Sequence, residues 1–310
     1  MTTLTDYQTE FQELVHDPNN TYYSVTDMNN YINRARLRIA ARSQCVRFLA
    51  SGGTITALSI NSPGSGYAGT ATVSFSGSGQ QAAASATIGG GAIATVTLTN
   101  GGWGYITGTT TTVTAIGSTS GSNATFTTTI DNSLTTIPGQ EVYQFSSANT
   151  LLAAQSIFTG IASVEGVISV AIAWGANAAM KPMMMEVIWS EFQAYYRSYN
   201  TGLQNYPTIW SKYGQGVNGS IYVWPLPSQA SQMDWDCWCL PVNLTSSSTP
   251  EAIPYPFITP VAYYAAYLAF FNAQRFEDAD KMKAEYEQKL EECPPMTTGA
   301  FMGNYYEGDY

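Results

Sequence analysis

The sequence predicts an α+β protein: a helical bundle built from both chain ends, a β domain between them, and an inserted all-β module. Three observations carry that prediction. Apolar residues recur at helical spacing near both ends, at 4–46 and 258–292. From Phe48 through Ile130 there is no Asp, Glu, Lys or Arg, which marks a module with its own composition. Short alternating runs separated by Gly and Pro fill the stretch between that module and the last helix. The chain therefore divides into N-terminal helices at 1–50, an inserted β module at 51–131, a β-rich core at 132–257, a long C-terminal helix at 258–295 and an extended tail at 296–310.

The first helix is expected over 4–16, with Tyr7, Phe11, Leu14 and Val15 on one face and Thr5 and Gln8 spaced as a capping box. Asp17-Pro18-Asn19-Asn20 ends it. A second helix starts at Ser24, with Asp27 three residues on, and runs to about Val46 with Val25, Met28, Ile32, Ala35 and Ile39 inward. Five of the chain's twelve basic residues lie in this region. Arg34, Arg38 and Arg42 form an i, i+4, i+8 stripe, with Arg36 and Arg47 beside it. Such a stripe reads as a solvated face, open to pairing with the acids of the last helix, or as a contact with an acidic partner subunit; a DNA contact is the third reading.

Within the uncharged module, a shift of 38 residues aligns Ile55 with Ile93, Leu58 with Val96, Ile60 with Leu98, Gly64 with Gly102, Gly66 with Gly104 and Tyr67 with Tyr105. The repeat implies two β units packed as one small domain. Its G-x-G-Y corners supply positive-φ turns and a tyrosine to cover them. No helix follows either G-x-G, so neither is a phosphate loop.

Beyond Asp131, residues 135–146 read as a strand pair or extended arm, 163–174 as a strand and 183–200 as a helix. Ile221–Trp224 and Met233–Leu240 read as a hairpin, and 243–257 as an irregular approach to the last helix. That helix is expected to run unbroken over 258–292, capped by Thr259 with Pro260 at the first helical position, and to stop at Pro294-Pro295. Its first half carries Ala262, Ala266, Ala269 and Ala273 for close helix approach; its second half is a half-exposed arm with Glu277–Lys281 and Glu285–Lys289 pairs. The tail has Phe301, Tyr305, Tyr306 and Tyr310 without periodicity, the composition of a clasp that orders against a partner.

Composition excludes several classes. A formal net charge of −10 argues against a general nucleic-acid binder. No apolar run is long enough to span a membrane, and the N-terminus lacks a signal peptide's basic start and apolar centre, so a cytoplasmic origin is expected. No enzyme is expected either, and no cofactor or metal. His16 stands alone at a helix end, Cys237-x-Cys239 lacks a second ligand pair, and Asp234 and Asp236 sit side by side on one strand face.

The order of Ser24-Val25-Thr26-Asp27 opening an Asn/Arg helix, the GQEVYQF arm, the Glu-Phe-x-Ala-Tyr-Tyr helix with Pro207-x-x-Trp210 behind it, the GSIYVWPLP strand and the Ala/Tyr-rich last helix resembles the head-to-tail adaptor (connector) proteins of short-tailed bacteriophages. The resemblance covers most of the chain outside 51–130; the insert resembles G-x-G-Y modules of phage structural proteins. It implies a virion protein at the head–tail junction, assembled in the host cytoplasm. There it would form a homo-oligomeric ring, generally of twelve copies, bound to the portal and to tail nozzle or fibre proteins, and pass DNA without binding it specifically. Phe301, Tyr305, Tyr306 and Tyr310, with Arg34, Arg38 and Arg42, are the candidate partner contacts. The competing reading is a carbohydrate-binding or adhesion protein in which Tyr67, Trp103 and Tyr105 stack on sugar rings.

Overall fold

The computed structural model describes residues 2–75, 79–105, 111–116, 121–131, 134–154, 160–173, 181–198 and 204–294. Helices α1 (Leu4–Val15) and α2 (Val25–Ser43) lead into strands β1 (Arg47–Ser51), β2 (Thr54–Ser65), β3 (Thr70–Phe75), β4 (Ala83–Gly89), β5 (Ala92–Asn100), β6 (Thr111–Ile116) and β7 (Ser122–Asp131). Next come β8 (Val142–Gln144), α3 (Ser146–Ala154), β9 (Ile161–Ile172), β10 (Met185–Glu186) and α4 (Trp189–Glu191), the last continued by a π-helix over Phe192–Arg197. Strands β11 (Gln204–Asn205), β12 (Ile209–Tyr213), β13 (Ser220–Trp224), β14 (Leu226–Pro227) and β15 (Met233–Pro241) precede helices α5 (Thr259–Asn272) and α6 (Phe276–Glu291). The architecture is α+β, and the chain divides into two compact units: 1–47, 159–163 and 238–310 form one, 48–158 and 164–237 the other.

In the first unit, helices from both ends of the chain pack on one another. The N-terminal capping box is Thr3 with Asp6, two residues ahead of the expected Thr5 and Gln8, because Asp6 at the third helical position returns the bond that Glu or Gln would give. Ser24 caps α2 by accepting from the Asp27 amide, as expected, but Val25 is exposed. Between these helices Asp17 accepts from the amides of Thr21, Tyr22 and Tyr23. Burial pushes its carboxyl up, yet the three donors outweigh that and hold it below the ordinary carboxylate value.

The C-terminal helix is not continuous. It breaks at Ala273–Arg275, where Gln274 takes φ 58°, and α6 turns back onto α5, so that Tyr286 meets Tyr264 at 4.8 Å and Phe276 meets Phe271 at 5.7 Å. A straight helix would leave Ala279 and Tyr286 in water; the turn buries both. Thr259 lies inside α5 and caps nothing; Ile258 occupies the cap position without a side-chain bond. Val261, Ala262, Ala265, Ala266 and Ala269 are all fully buried, which leaves α5 covered on two sides. On α6 the ion pairs run i,i+3, Lys281 with Asp278 and Lys289 with Glu292, rather than i,i+4.

The second unit is built of small sheets. One has the strand order β1-β15-β9, another β10-β12-β13-β8. The hairpin expected between 221–224 and 233–240 does not form: β13 pairs with β12 and β8, while β15 lies between β1 and β9. Burial explains the split. Trp235, Cys237 and Cys239 are all fully buried on one face of β15, which needs a strand on each side to satisfy its backbone. The helix expected from 183 begins only at Trp189, because Met185 and Val187 donate to Thr208 and Trp210 as strand residues.

Within residues 54–131 strands of the two sequence repeats pair with one another. β2, from the first repeat, pairs with β7 from the second; β4 of the first pairs with β5 of the second; β3 pairs with β6. The tyrosine corners exchange in the same way. The Tyr67 amide donates to Gly91 O and the Tyr105 amide to Gly53 O, both at 2.9 Å. The Tyr67 hydroxyl accepts from the Ala124 amide, and the Tyr105 hydroxyl from the Ala82 amide, each at 3.2 Å. Gly64 and Gly102 both hold positive φ, 64° and 59°. A Cβ on Gly102 would lie 2.3 Å from Gln80 O, whereas one on Gly90, also at positive φ, would meet nothing within 4 Å. Gly102→Ala is therefore expected to cost about 1–3 kcal/mol more than Gly90→Ala, read from urea midpoints of the two variants. Equal losses would mean that the backbone gives way without penalty.

Candidate functional site

The arginines of α2 separate onto two faces. Arg36, four residues after Ile32 and four before Ala40, falls on the inward phase and is wholly buried. Its Nε and Nη2 donate to the Glu251 carboxylate at 2.8 and 2.6 Å, and its Nη1 donates to Val242 O at 2.7 Å and to Asn33 Oδ1 at 3.1 Å. Asn33 in turn holds Leu244 through both backbone groups, so the irregular 242–253 segment is fastened to α2 side chain by side chain. Tyr7 is buried in the same region. Its hydroxyl is pushed far above the ordinary phenol value, first by burial and then by the Glu251 carboxylate.

The stripe Arg34, Arg38 and Arg42 faces outward. Arg42 pairs with Glu287 of α6 at 2.6 Å and lies 5.9 Å from the Tyr286 ring centroid, which is the pairing with the last helix's acids that the sequence allowed. Arg34 and Arg38 are exposed and have no ion-pair or hydrogen-bond partner among the described residues. Beside Arg34 an aromatic ridge runs along the α5–α6 hairpin through Tyr264, Tyr267, Phe271 and Phe276, with successive centroids 5.4, 5.9 and 5.7 Å apart. Phe271 and Phe276 are 54% and 55% exposed, which is unusual for two contacting rings on one surface. Asp27, Asn30, Tyr31 and Arg34 of α2 and Leu268, Phe271 and Asn272 of α5 line a concavity of about 270 Å³ there.

Residues 119–293, more than half of the chain, match the family described as SU10 adaptor protein. The chain belongs to the SU10 adaptor protein family. It is thus a bacteriophage adaptor, a structural component of the virion. Among individually curated proteins, none matches it.

The other candidate residues of this adaptor fall in different places. Tyr67 and Tyr105 are buried at 5% and 2% exposure, and only Trp103 is partly open. A Cβ on Gly121 or Gly79 would sit 2.2 or 2.3 Å from the Tyr67 or Tyr105 ring, so the rings lie flush against backbone, with no free face for a sugar. Phe301, Tyr305, Tyr306 and Tyr310 lie outside the described residues. His16 is the left-handed C-cap of α1. Asp234 pairs with Lys181 at 2.8 Å. No group of three or more His, Cys, Asp or Glu that would hold a metal ion, and no helix long and apolar enough to cross a membrane, occurs among the described residues.

One surface of the adaptor escaped the sequence reading. Arg197, at the end of the π-helix, lies over Trp189 and Tyr222 at 5.8 and 5.4 Å and pairs with Glu141 at 3.3 Å. Around it Ile188, Tyr195 and Tyr213 are exposed. The Glu-Phe-x-Ala-Tyr-Tyr run gave no signal of it, since Phe192, Tyr195 and Tyr196 keep the i, i+3, i+4 spacing of an ordinary α-helix, whereas in the π-helix Phe192 is buried and Tyr195 exposed.

Proposed function

We propose that this adaptor forms the ring that joins the portal to the tail, generally of twelve copies, and lines the channel through which the genome passes. Its assembly would take place in the host cytoplasm, with the portal protein on one side and tail nozzle or fibre proteins on the other. The observation that carries this reading is membership of the adaptor family over residues 119–293. The charge balance supports it: 22 acidic against 12 basic residues suit a wall past which phosphate must slide without binding. Partner contacts are assigned to Arg34, Arg38 and Arg42 and to the tail aromatics Phe301, Tyr305, Tyr306 and Tyr310. Each ring, once buried on a partner, would contribute roughly 1.5–3 kcal/mol before ordering costs.

The test is electron microscopy of the purified chain, alone and mixed with the portal of the same phage. Closed rings stacked on the portal are the expected result. A chain that stays monomeric and leaves the portal bare would overturn the reading.

A further inference from the structure

We infer that the concavity between α2 and α5, continued by Arg34 and Arg38, is the seat of residues 305–309 from a second copy of this chain. The inference rests on the adaptor reading for its setting, since both surfaces would then be held close in a ring, but its geometry is independent of ring size.

Three features select this occupant. The first is charge: Arg34 and Arg38 are exposed and unpaired among the described residues of an acidic protein, and the tail's last ten residues carry Glu307 and Asp309 and no Lys or Arg. The second is spacing. Arg34 and Arg38 are one helical turn apart, a rise of about 6 Å. Residues i and i+2 of an extended segment point the same way and are roughly 6.6 Å apart, so bound in extended form Tyr305, Glu307 and Asp309 would share a face at that interval. With Glu307 on Arg34 and Asp309 on Arg38, Tyr305 falls one step before Arg34. There the concavity of about 270 Å³ opens beside Phe271, a place suited to a phenol ring.

The third feature is the route. The tail is long enough to return to its own groove, because α6 is only about 24 Å long. To do so it would run back along a helix with six acids and three lysines, against like charge. A tail supplied by a second copy would not have to make that passage.

Charge reversal tests the pairing and the copy it comes from. One full-length variant carries Arg34→Glu with Arg38→Glu; the other carries Glu307→Lys with Asp309→Lys. Copy–copy association, followed by sedimentation, should weaken roughly tenfold or more for each variant alone. An equimolar mixture should return to parental association, since every reversed groove then finds a reversed tail. If the mixture stays weak while all four substitutions in one chain recover, the tail folds back on its own chain and the inference fails. It also fails if either variant alone associates like the parent, or if neither combination recovers.

A labelled peptide of residues 296–310 titrated against full-length chain separates this inference from the adaptor reading. Binding lost on Arg34→Glu with Arg38→Glu, in a chain that never forms rings, sustains the groove and sinks the ring. Rings with no groove-dependent peptide binding do the reverse.

Discussion

Replacing Arg36 by methionine is expected to destabilise the helical unit by about 3–5 kcal/mol, the range for breaking a buried ion pair by removing one partner. The substitution strips Glu251, 5% exposed in its side chain, of both guanidinium bonds and leaves Val242 O without its 2.7 Å donor. Methionine fills the volume, so the loss reports the polar network and not a cavity. Glu251 also borders a cavity of about 640 Å³ shared with Asp6 and Glu10, and water entering there would place the cost near the lower end. Urea unfolding followed by helix signal measures it. The companion variant, Arg36→Met with Glu251→Leu, should recover most of the loss, since no charge is then left buried alone. A loss for Arg36→Met below about 1 kcal/mol would show that the network contributes no more than an exposed pair.

The second large effect is a contrast between two deletions. Thr54 and Asp131 are direct partners in the β2–β7 ladder, so the two ends of the module meet, and a short Gly-Ser bridge replacing 54–131 closes without strain. The remaining chain should keep its helix content and unfold cooperatively. Some support is withdrawn, because Gln232 loses its 3.1 Å bond to Tyr105 O and Ala154 O loses the Gly101 amide, and a small drop in midpoint is expected. Deleting only the second repeat, 92–130, should be far worse. It leaves β2 without β7, β4 without β5 and β3 without β6, three rows of unpaired backbone groups. Soluble yield and circular dichroism distinguish the outcomes: a soluble, folded half-module would refute the interleaving, and an unfolded whole-module deletion would make the module integral to its host.

Sequence reached some of these features and not others for identifiable reasons. The repeat register was legible because positive φ falls on glycine, and Gly64, Gly66, Gly102 and Gly104 hold those conformations. Which repeat pairs with which was not, since both repeats carry the same alternation and either partner satisfies it. Ser24 announced α2 because its cap is local. The break at Gln274 gave no warning: a glutamine takes the left-handed turn there, for the tertiary gain of burying Tyr286. Arg36 was grouped with its exposed neighbours by residue type, although its phase, four residues from both Ile32 and Ala40, already placed it inside. The false hairpin came from sequence adjacency, which decides strand pairing only where no deeper strand needs two neighbours.

The interleaved repeats also set an order of events during synthesis. Thr54 pairs with Asp131, 77 positions later, so β2 emerges from the ribosome well before its partner exists. At about 5–20 residues per second the wait is seconds, during which a conventional strand with Val and Ile on both sides would invite aggregation. The module's outward strand positions instead include Ser59, Asn61, Ser85, Thr87, Thr95, Thr97, Thr99, Thr125, Thr127 and Thr129, with Ala57, Ala83 and Ala94 beside them and, among the described residues, no Val, Ile, Leu or Phe. Hydroxyl-bearing side chains keep the β geometry while remaining compatible with water. A module with no charge before its final residue, Asp131, thus gains its tolerance for delay from threonine and serine, and its last strand, once released, closes both repeats together.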